Sequence, residues 1–351
     1  MENVFGKRLA NARKIRCLSQ RELCTVMGGI VSSNAIAKYE TGRMLPSSNI
    51  LIALSRALNM EIDYFFRPFI FQIDADKFEF RKKSSLGKKQ EKALKETIIA
   101  QIEKYLEIES ITNDGKRFDI DFKDTVVSNA NDARALGNRL RQILNLGTDS
   151  ILNPIDILEN NGVKIIEVDA DSKFDGSCIY SNDVPVIVIN KNASSERKRL
   201  TLFHEFAHLV LLFEETVDGT DVEKLCSIFA NEVLLPSAVL KQILGEKRKS
   251  ISLVELKDIQ RLYGISIEAI MTKARQLSII NDHQYRSFYI SINRSETLKA
   301  DIRESVYPDE HTSRYERLVY KAVSDELISV SKAANLLNES VDVIIEHLNV
   351  A

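Results

Sequence analysis

Nowhere in the chain do apolar residues run uninterrupted for the roughly 20 positions that a membrane-spanning helix requires. The first residues, Met1 to Arg8, also lack the apolar core of a signal peptide. Cysteine is scarce. Cys17, Cys24, Cys178 and Cys226 are the four present, with no CxxC pair and no dense framework, so a reducing, cytoplasmic setting is expected rather than an oxidising exterior. There is no internal repeat of fixed period and no low-complexity tract. What is present is a composition of 44% hydrophobic and 28% charged residues over 351 positions, which suits soluble globular folds and leaves room for two or three domains.

The net charge of −2 conceals an asymmetry. Residues 1–68 carry ten Lys and Arg against five acids, a net of +5, so the remainder holds −7. A small basic unit on an acidic body is what phosphate contact would require, although basic side chains also serve as ordinary solubilisers. The pattern in this unit is more telling. Phe5 to Ile15 reads as an amphipathic helix, and Ser19 to Met27 as a second with Ser19 at its N-cap. Gly28-Gly29 then breaks the chain, Ser32 to Gly42 is a third helix, and Asn49 to Leu58 a fourth. Two short helices around a tight turn, inside a small bundle, make a helix-turn-helix. The run from Gln20 through Tyr39-Glu40-x-Gly42 and Pro46-Ser47 to Leu58 resembles the XRE family of DNA-binding domains, with a turn around Gly28 to Ile30 two residues longer than in the shortest members. That resemblance implies that the helix from Ser32 enters the major groove of an operator duplex. Ser32, Ser33, Asn34 and Lys38 would face base edges or phosphates, and Gln20 would touch the backbone. A bundle that binds only protein is the competing reading.

Beyond Pro68, Phe69 to Phe80 alternates weakly and could form one or two strands. Leu86 to Ser110 reads as a charged connecting helix with Leu94, Ile98, Ile102 and Leu106 on one stripe, and Asn113 to Asn131 as a loop. Helices are expected over Ala130 to Leu144 and Pro154 to Gly162, followed by strands over Val163–Val168, Ser177–Tyr180 and Val184–Asn190. Ser252 to Leu277 and Tyr315 to Leu348 look helical, the latter with a second helix-turn-helix cadence from Ile328. His283, His311 and His347 sit in polar surroundings and read as surface residues.

The two remaining histidines stand apart. Arg199-Leu-Thr-Leu-Phe-His204-Glu205-Phe-Ala-His208-Leu-Val-Leu-Leu212 contains HExxH within an apolar helix, and the i, i+4 spacing puts both imidazoles on one face, where they can grip one ion. Glu205 is placed to take the proton of an attacking water while the ion polarises a carbonyl. Residue frequencies alone give this pattern in about one chain of this length in a hundred, so its neighbourhood carries the argument. A catalytic zinc site needs a third protein ligand. Arg-x-Thr-x-x-HExxH followed by Glu223-x-x-Cys226-x-x-Phe229-Ala230-x-x-x-Leu-Leu235-Pro236 resembles the ImmA/IrrE family of metallopeptidases. The likeness extends to Asp175-Gly176 and to Val186–Asn190, and Cys226 departs from the more usual alanine. By that resemblance Glu223 is the third ligand, and Asn190 and Arg199 are marked as well, although Arg199 could equally be a surface residue at the helix start. Cys226 reads as a small buried residue rather than a ligand. Glu232, nine residues after Glu223, is rotated away on the helix. Each imidazole is expected to donate its second nitrogen to a carbonyl or carboxylate.

The expected fold is α+β and multidomain: an all-α helix-turn-helix bundle, a zincin-like α+β peptidase domain and a helical C-terminal region. The expected boundaries are 1–68, a connecting strand and helix region at 69–129, the peptidase at 130–245 and the helices at 246–351. Such a chain would be a cytoplasmic, DNA-binding transcriptional regulator with a zinc-dependent endopeptidase, catalytic through Glu205, bound to zinc through His204, His208 and Glu223. Its partners would be a double-stranded operator and a repressor protein as substrate, with no membrane; a homodimer is compatible with the resemblance. The donor set would accept Mn2+ or Fe2+ as well. The alternative is a non-enzymatic repressor or antitoxin-like regulator whose metal domain senses a ligand or holds a partner. An intact Glu205 favours catalysis, since a structural site needs no general base.

Overall fold

A computed structural model describes residues 3–69, 87–122, 124–181 and 184–348. The architecture is α+β, and the chain divides into two compact units, Met1–Gly115 with Ser313–Ala351, and Lys116–Thr312. The helices after residue 246 are therefore shared between the units.

The first unit opens with α1 (Val4–Ile15), α2 (Gln20–Val26), α3 (Ser33–Glu40) and α4 (Ser48–Leu58). Asn3 starts α1 by accepting from the Gly6 N–H at 3.0 Å and donates to the Glu40 carbonyl at 2.8 Å, which ties the start of α1 to the end of α3. Ser19 and Glu22 form a capping box on α2, and Ser32 caps α3. Between α2 and α3, Gly28 and Gly29 hold φ values of +71° and +74°, a conformation that glycine adopts without a Cβ penalty. Phe5, Leu9, Ala12, Leu23, Ile36, Leu54 and Leu58 then close a core with Tyr64 and Phe65.

Next comes α5 (Lys88–Thr112), which is packed into this unit rather than spanning a gap as a connector. It buries Ile98, Ile99, Ile102, Tyr105 and Ile108, so the apolar stripe turns toward Tyr105 and Ile108 instead of Leu106. Partners within the unit neutralise some of its charges: Glu96 meets Lys14 at 2.6 Å and Glu103 meets Arg8 at 2.5 Å. The strands expected from Phe69 to Phe80 lie, past Phe69, outside the described residues.

The second unit runs through β1 (Val126–Val127), α6 (Ala130–Ile143), α7 (Pro154–Asn160), β2 (Lys164–Val168), β3 (Gly176–Ser181), β4 (Val184–Asn190), α8 (Ser195–Val210) and β5 (Leu212–Phe213). It continues with α9 (Gly219–Leu234), α10 (Ser237–Leu244), α11 (Leu253–Tyr263), α12 (Ile267–Gln276), α13 (Asp282–Arg294) and α14 (Glu296–Arg303). The stretch expected to be a loop from Asn113 to Asn131 thus contains β1, which pairs in parallel with β5 just after α8. The main sheet has the order β2-β4-β3, with β2 parallel and β3 antiparallel to β4. Central β4 is buried from Pro185 to Asn190, as the near-continuous apolar run Val-Ile-Val-Ile requires of a strand covered on both faces. Helix α8 packs on β3 and β4, α9 packs on α8, and α6 packs on α9. The HExxH helix is therefore an interior layer.

The chain then returns to the first unit with α15 (Arg314–Ser324), α16 (Val330–Leu337) and α17 (Val341–Leu348). Leu318, Val319 and Ala322 of α15 share a core with Ile108, Leu336 and Ile344. Buried Arg314 donates to the Tyr105 hydroxyl at 3.2 Å and to the Glu109 carboxylate. Among the described residues no helix is long and apolar enough to cross a membrane.

At the crossing of α1 and α3, a Cβ on Gly6 would stand 2.3 Å from the Glu40 carbonyl oxygen and 2.6 Å from that of Tyr39. Because backbone rather than a movable side chain blocks the space, Gly6→Ala is expected to cost about 1–3 kcal/mol. Thermal unfolding of the two proteins measures it, and an unchanged midpoint would contradict the packing.

Candidate metal centre and nucleic-acid face

Helix α8 owes its position to three buried charges in its first turns, none of which touches the histidines. Glu196 accepts from Gln260 at 3.0 Å, the Ser305 hydroxyl at 2.7 Å and the Val306 N–H at 3.1 Å. Lys198 donates to the Glu310 carbonyl at 2.9 Å and pairs with Glu167 at 3.1 Å. Arg199 is not a surface residue: it is fully buried, donates to the Glu310 carboxylate and to the Ile151 carbonyl at 2.7 Å, and stacks 4.4 Å from the Tyr307 ring centroid. The segment 305–312 thus straps the start of α8, and the alternative of a surface place for Arg199 is excluded by partners 48 residues behind it and 111 ahead. His311, in that strap, is exposed and stands 3.2 Å from the Glu167 carboxylate and 2.8 Å from that of Asp309. His283 and His347 are also exposed, as expected.

One turn further on, α8 meets α9. His204 Nε2 and His208 Nε2 lie 3.2 Å apart, and the Glu223 carboxylate stands 3.2 Å from the first through Oε2 and 3.4 Å from the second through Oε1. These three side chains are the cluster able to hold a metal ion among the described residues. The distances test the fit. A tetrahedral zinc ion with bonds of about 2.0–2.1 Å keeps its donor atoms about 3.3 Å apart, a spacing that the two imidazoles keep from one another and that each keeps from a different Glu223 oxygen. Solvent reaches the side: the His204 and Glu223 side chains are 17% and 26% exposed, while His208 is 4% exposed.

Behind the imidazoles the expectation of a carbonyl or carboxylate is corrected. His204 Nδ1 faces the Ser227 hydroxyl at 3.2 Å, and His208 Nδ1 faces the Cys226 thiol at 3.3 Å. Both partners come from α9, three and four residues after Glu223, so the i+3 and i+4 positions of that helix were the signal that could have found them. Cys226 is fully buried, and it is the second nitrogen of His208 that it meets, on the side away from the donor triangle.

Glu205 is 5% exposed and lies against β3. The contact exists because position 176 is glycine: a Cβ there would stand 2.5 Å from Thr201 Cγ2, 2.8 Å from the Val188 carbonyl oxygen and 3.5 Å from Glu205 Cγ. Asn190, flagged only by resemblance, is a loop anchor. Its amide donates to the carbonyls of Ala170, Asp171 and Phe174 at 2.9–3.1 Å, holding the segment that leads into β3. Glu232 points away from the histidines, into a buried pair with Lys273 at 2.6 Å, and it accepts from the Ser237 N–H at 2.8 Å. Burial pushes its carboxyl up, but Lys273 and the Ser237 donors outweigh that and hold it below the ordinary carboxylate range.

On the helix-turn-helix, α3 turns Asn34 and Lys38 outward, and Ser32 is exposed at its N-cap, where its oxygen accepts from the Ala35 N–H at 3.1 Å. Ser33 is half-buried. Gln20 is half-buried too and donates to Glu40 at 2.7 Å, while Arg13 grips the same carboxylate through two nitrogens at 2.6 and 3.0 Å. Thr41 and Arg43, not singled out from the sequence, are exposed directly after α3.

Residues 9–65 match the family model described as Helix-turn-helix, and residues 158–275 match the one described as IrrE N-terminal-like domain. No curated protein matches the chain. The two matches follow one another in the order that the sequence motifs suggest, so the chain joins an XRE-type helix-turn-helix to a metallopeptidase-like domain of ImmA/IrrE type. The second match includes α11, whose Gln260 donates to Glu196 and whose Tyr263 carbonyl accepts from Arg199.

The different surroundings of the two α9 carboxylates predict different losses. Glu232→Ala leaves Lys273 buried without its partner and is expected to cost about 3–5 kcal/mol. Glu223→Ala, at a solvent-accessible position, should leave the metal-free protein nearly as stable as the parent. Urea unfolding in the presence of a chelator compares them, and equal losses would contradict the distinction.

Proposed function

We propose that this chain is a DNA-binding transcriptional regulator whose second unit is a zinc-dependent endopeptidase acting on a repressor protein. The observation that carries the reading is the triangle of His204, His208 and Glu223 donor atoms with Glu205 on the same helix, in a chain that also holds a helix-turn-helix. When bound, the ion supplies Lewis acidity, polarising the scissile carbonyl and making a water easier to deprotonate. Zinc suits two imidazoles and one carboxylate, and Mn2+ or Fe2+ would be accepted by the same donors.

In this reading His204, His208 and Glu223 hold the ion and leave its solvent side to water and substrate. Glu205 accepts a proton from the attacking water and returns it to the leaving amine. Its restricted exposure, against Gly176 and Thr201, limits the directions its carboxylate can take. The helix-turn-helix binds an operator, with Ser32, Ser33, Asn34 and Lys38 facing base edges or phosphates and Gln20 touching the backbone. Joining both functions in one chain brings the peptidase to the operator where its repressor substrate sits, in the cytoplasm.

The deciding experiment incubates metal-loaded protein with candidate repressor proteins, and with itself, and reads fragments by mass spectrometry. Glu205→Gln is expected to retain zinc and duplex binding while cleavage falls by at least about 100-fold. A Glu205→Gln protein that still switches its promoter like the parent would make the metal domain a sensor instead. For the first unit, duplex affinity should fall steeply with salt as phosphate contacts release counterions. Lys38→Ala should weaken binding and reduce the salt slope by about one; an unchanged slope would remove Lys38 from the interface.

A further inference from the structure

We infer that Ser227 is a positioning residue that decides which nitrogen of His204 carries the proton, and so keeps Nε2 available to a cation. The inference rests on the metal reading above but adds a residue that neither the motifs nor the family matches mark. The serine hydroxyl has a single proton, and it donates it to the backbone carbonyl of Glu223 at 2.9 Å, one helical turn earlier. Only lone pairs remain on its oxygen. His204 Nδ1 stands 3.2 Å from that oxygen, so a proton on Nδ1 completes a hydrogen bond to it, and Nε2, which faces the Glu223 carboxylate and His208 Nε2, is then left to a cation in place of a proton. In a neutral imidazole the lone pair then sits on Nε2.

That is the atom pointing at the Glu223 carboxylate and at His208 Nε2, each 3.2 Å away. Three electron-rich atoms converge, an arrangement that a cation between them stabilises and that the opposite tautomer of His204 would obstruct with an N–H. Glu223 thus acts at both ends of a closed relay: its carbonyl takes the Ser227 proton, Ser227 accepts from His204 Nδ1–H, and the far side of the same ring meets the Glu223 carboxylate. His208 Nδ1 faces the Cys226 thiol at 3.3 Å.

The test uses the full-length chain with Ser227→Ala, Ser227→Thr and Ser227→Val, the last matching threonine in shape without its hydroxyl. Zinc affinity is measured by competition with a chromogenic chelator, and the tautomer of His204 by imidazole 15N shifts in metal-free protein. Five histidines make assignment by single substitution practicable. Ser227→Ala and Ser227→Val should bind zinc about 10-fold or more weakly, the range seen when a partner behind a metal-bound histidine is removed. Ser227→Thr should return close to the parent value. The parent spectrum should show His204 protonated on Nδ1, and the Ala and Val variants a mixture of tautomers. Parent-like affinity in both hydroxyl-free variants, or Nε2–H in the parent, overturns the inference. If the parent took up no zinc at all, the metal reading would fall instead, and the imidazole spectrum would still decide whether Ser227 sets the tautomer.

Discussion

Everything at the candidate metal centre depends on how closely α8 is held between the sheet and α9. Imidazoles at i and i+4 share a face of any helix, but the third donor comes from another helix, and the 3.2–3.4 Å triangle exists only if the two helices are held in one register. Three features set that register. Gly176 lets α8 settle onto β3, the small residues Ala207, Cys226 and Ala230 are buried in the same core, and the buried charges Glu196, Lys198 and Arg199 tie the first turns of α8 to the 305–312 strap and to α11. Buried charges are expensive to leave unmatched, so this anchoring specifies one position for the helix where apolar packing alone would tolerate slippage.

The same division of labour appears along α9. Glu223, Cys226 and Ser227 face the histidines, while Glu232 serves the fold through Lys273 and Ser237. Two glutamates nine residues apart on one helix therefore have opposite duties. Their surroundings separate them: a half-buried position open to solvent beside two imidazoles, against an interior position with an ammonium and two serine donors.

Much of this was legible in the residues themselves. Local signals fixed the helix-turn-helix: Ser19, Glu22 and Ser32 as caps, Gly28-Gly29 as the break, and apolar residues at helical spacing for the core. The three strands and both site helices were readable for the same reason, since periodicity and caps act within a few residues. Charge pattern was a poorer guide. The charges of α5 say nothing of their partners, yet Glu96 and Glu103 are paired inside the first unit, and Arg199, for which a surface place at the helix start was an open alternative, is fully buried. In each case the partner lies 80 to more than 100 residues away.

By itself, then, the sequence determined most of the elements and the HExxH face, because helical geometry follows from spacing along one element, while Glu223 entered only through a family resemblance. Only the tertiary structure decided what stands behind those ligands. That Ser227 and Cys226 back the two imidazoles, that Glu232 belongs to Lys273, and that a strap from 305 to 312 holds α8 are outcomes of helices crossing at particular angles. Contacts between elements distant in the chain are set by packing of the whole core; the helical spacing from Glu223 points to Cys226 and Ser227 but does not say which imidazole each meets.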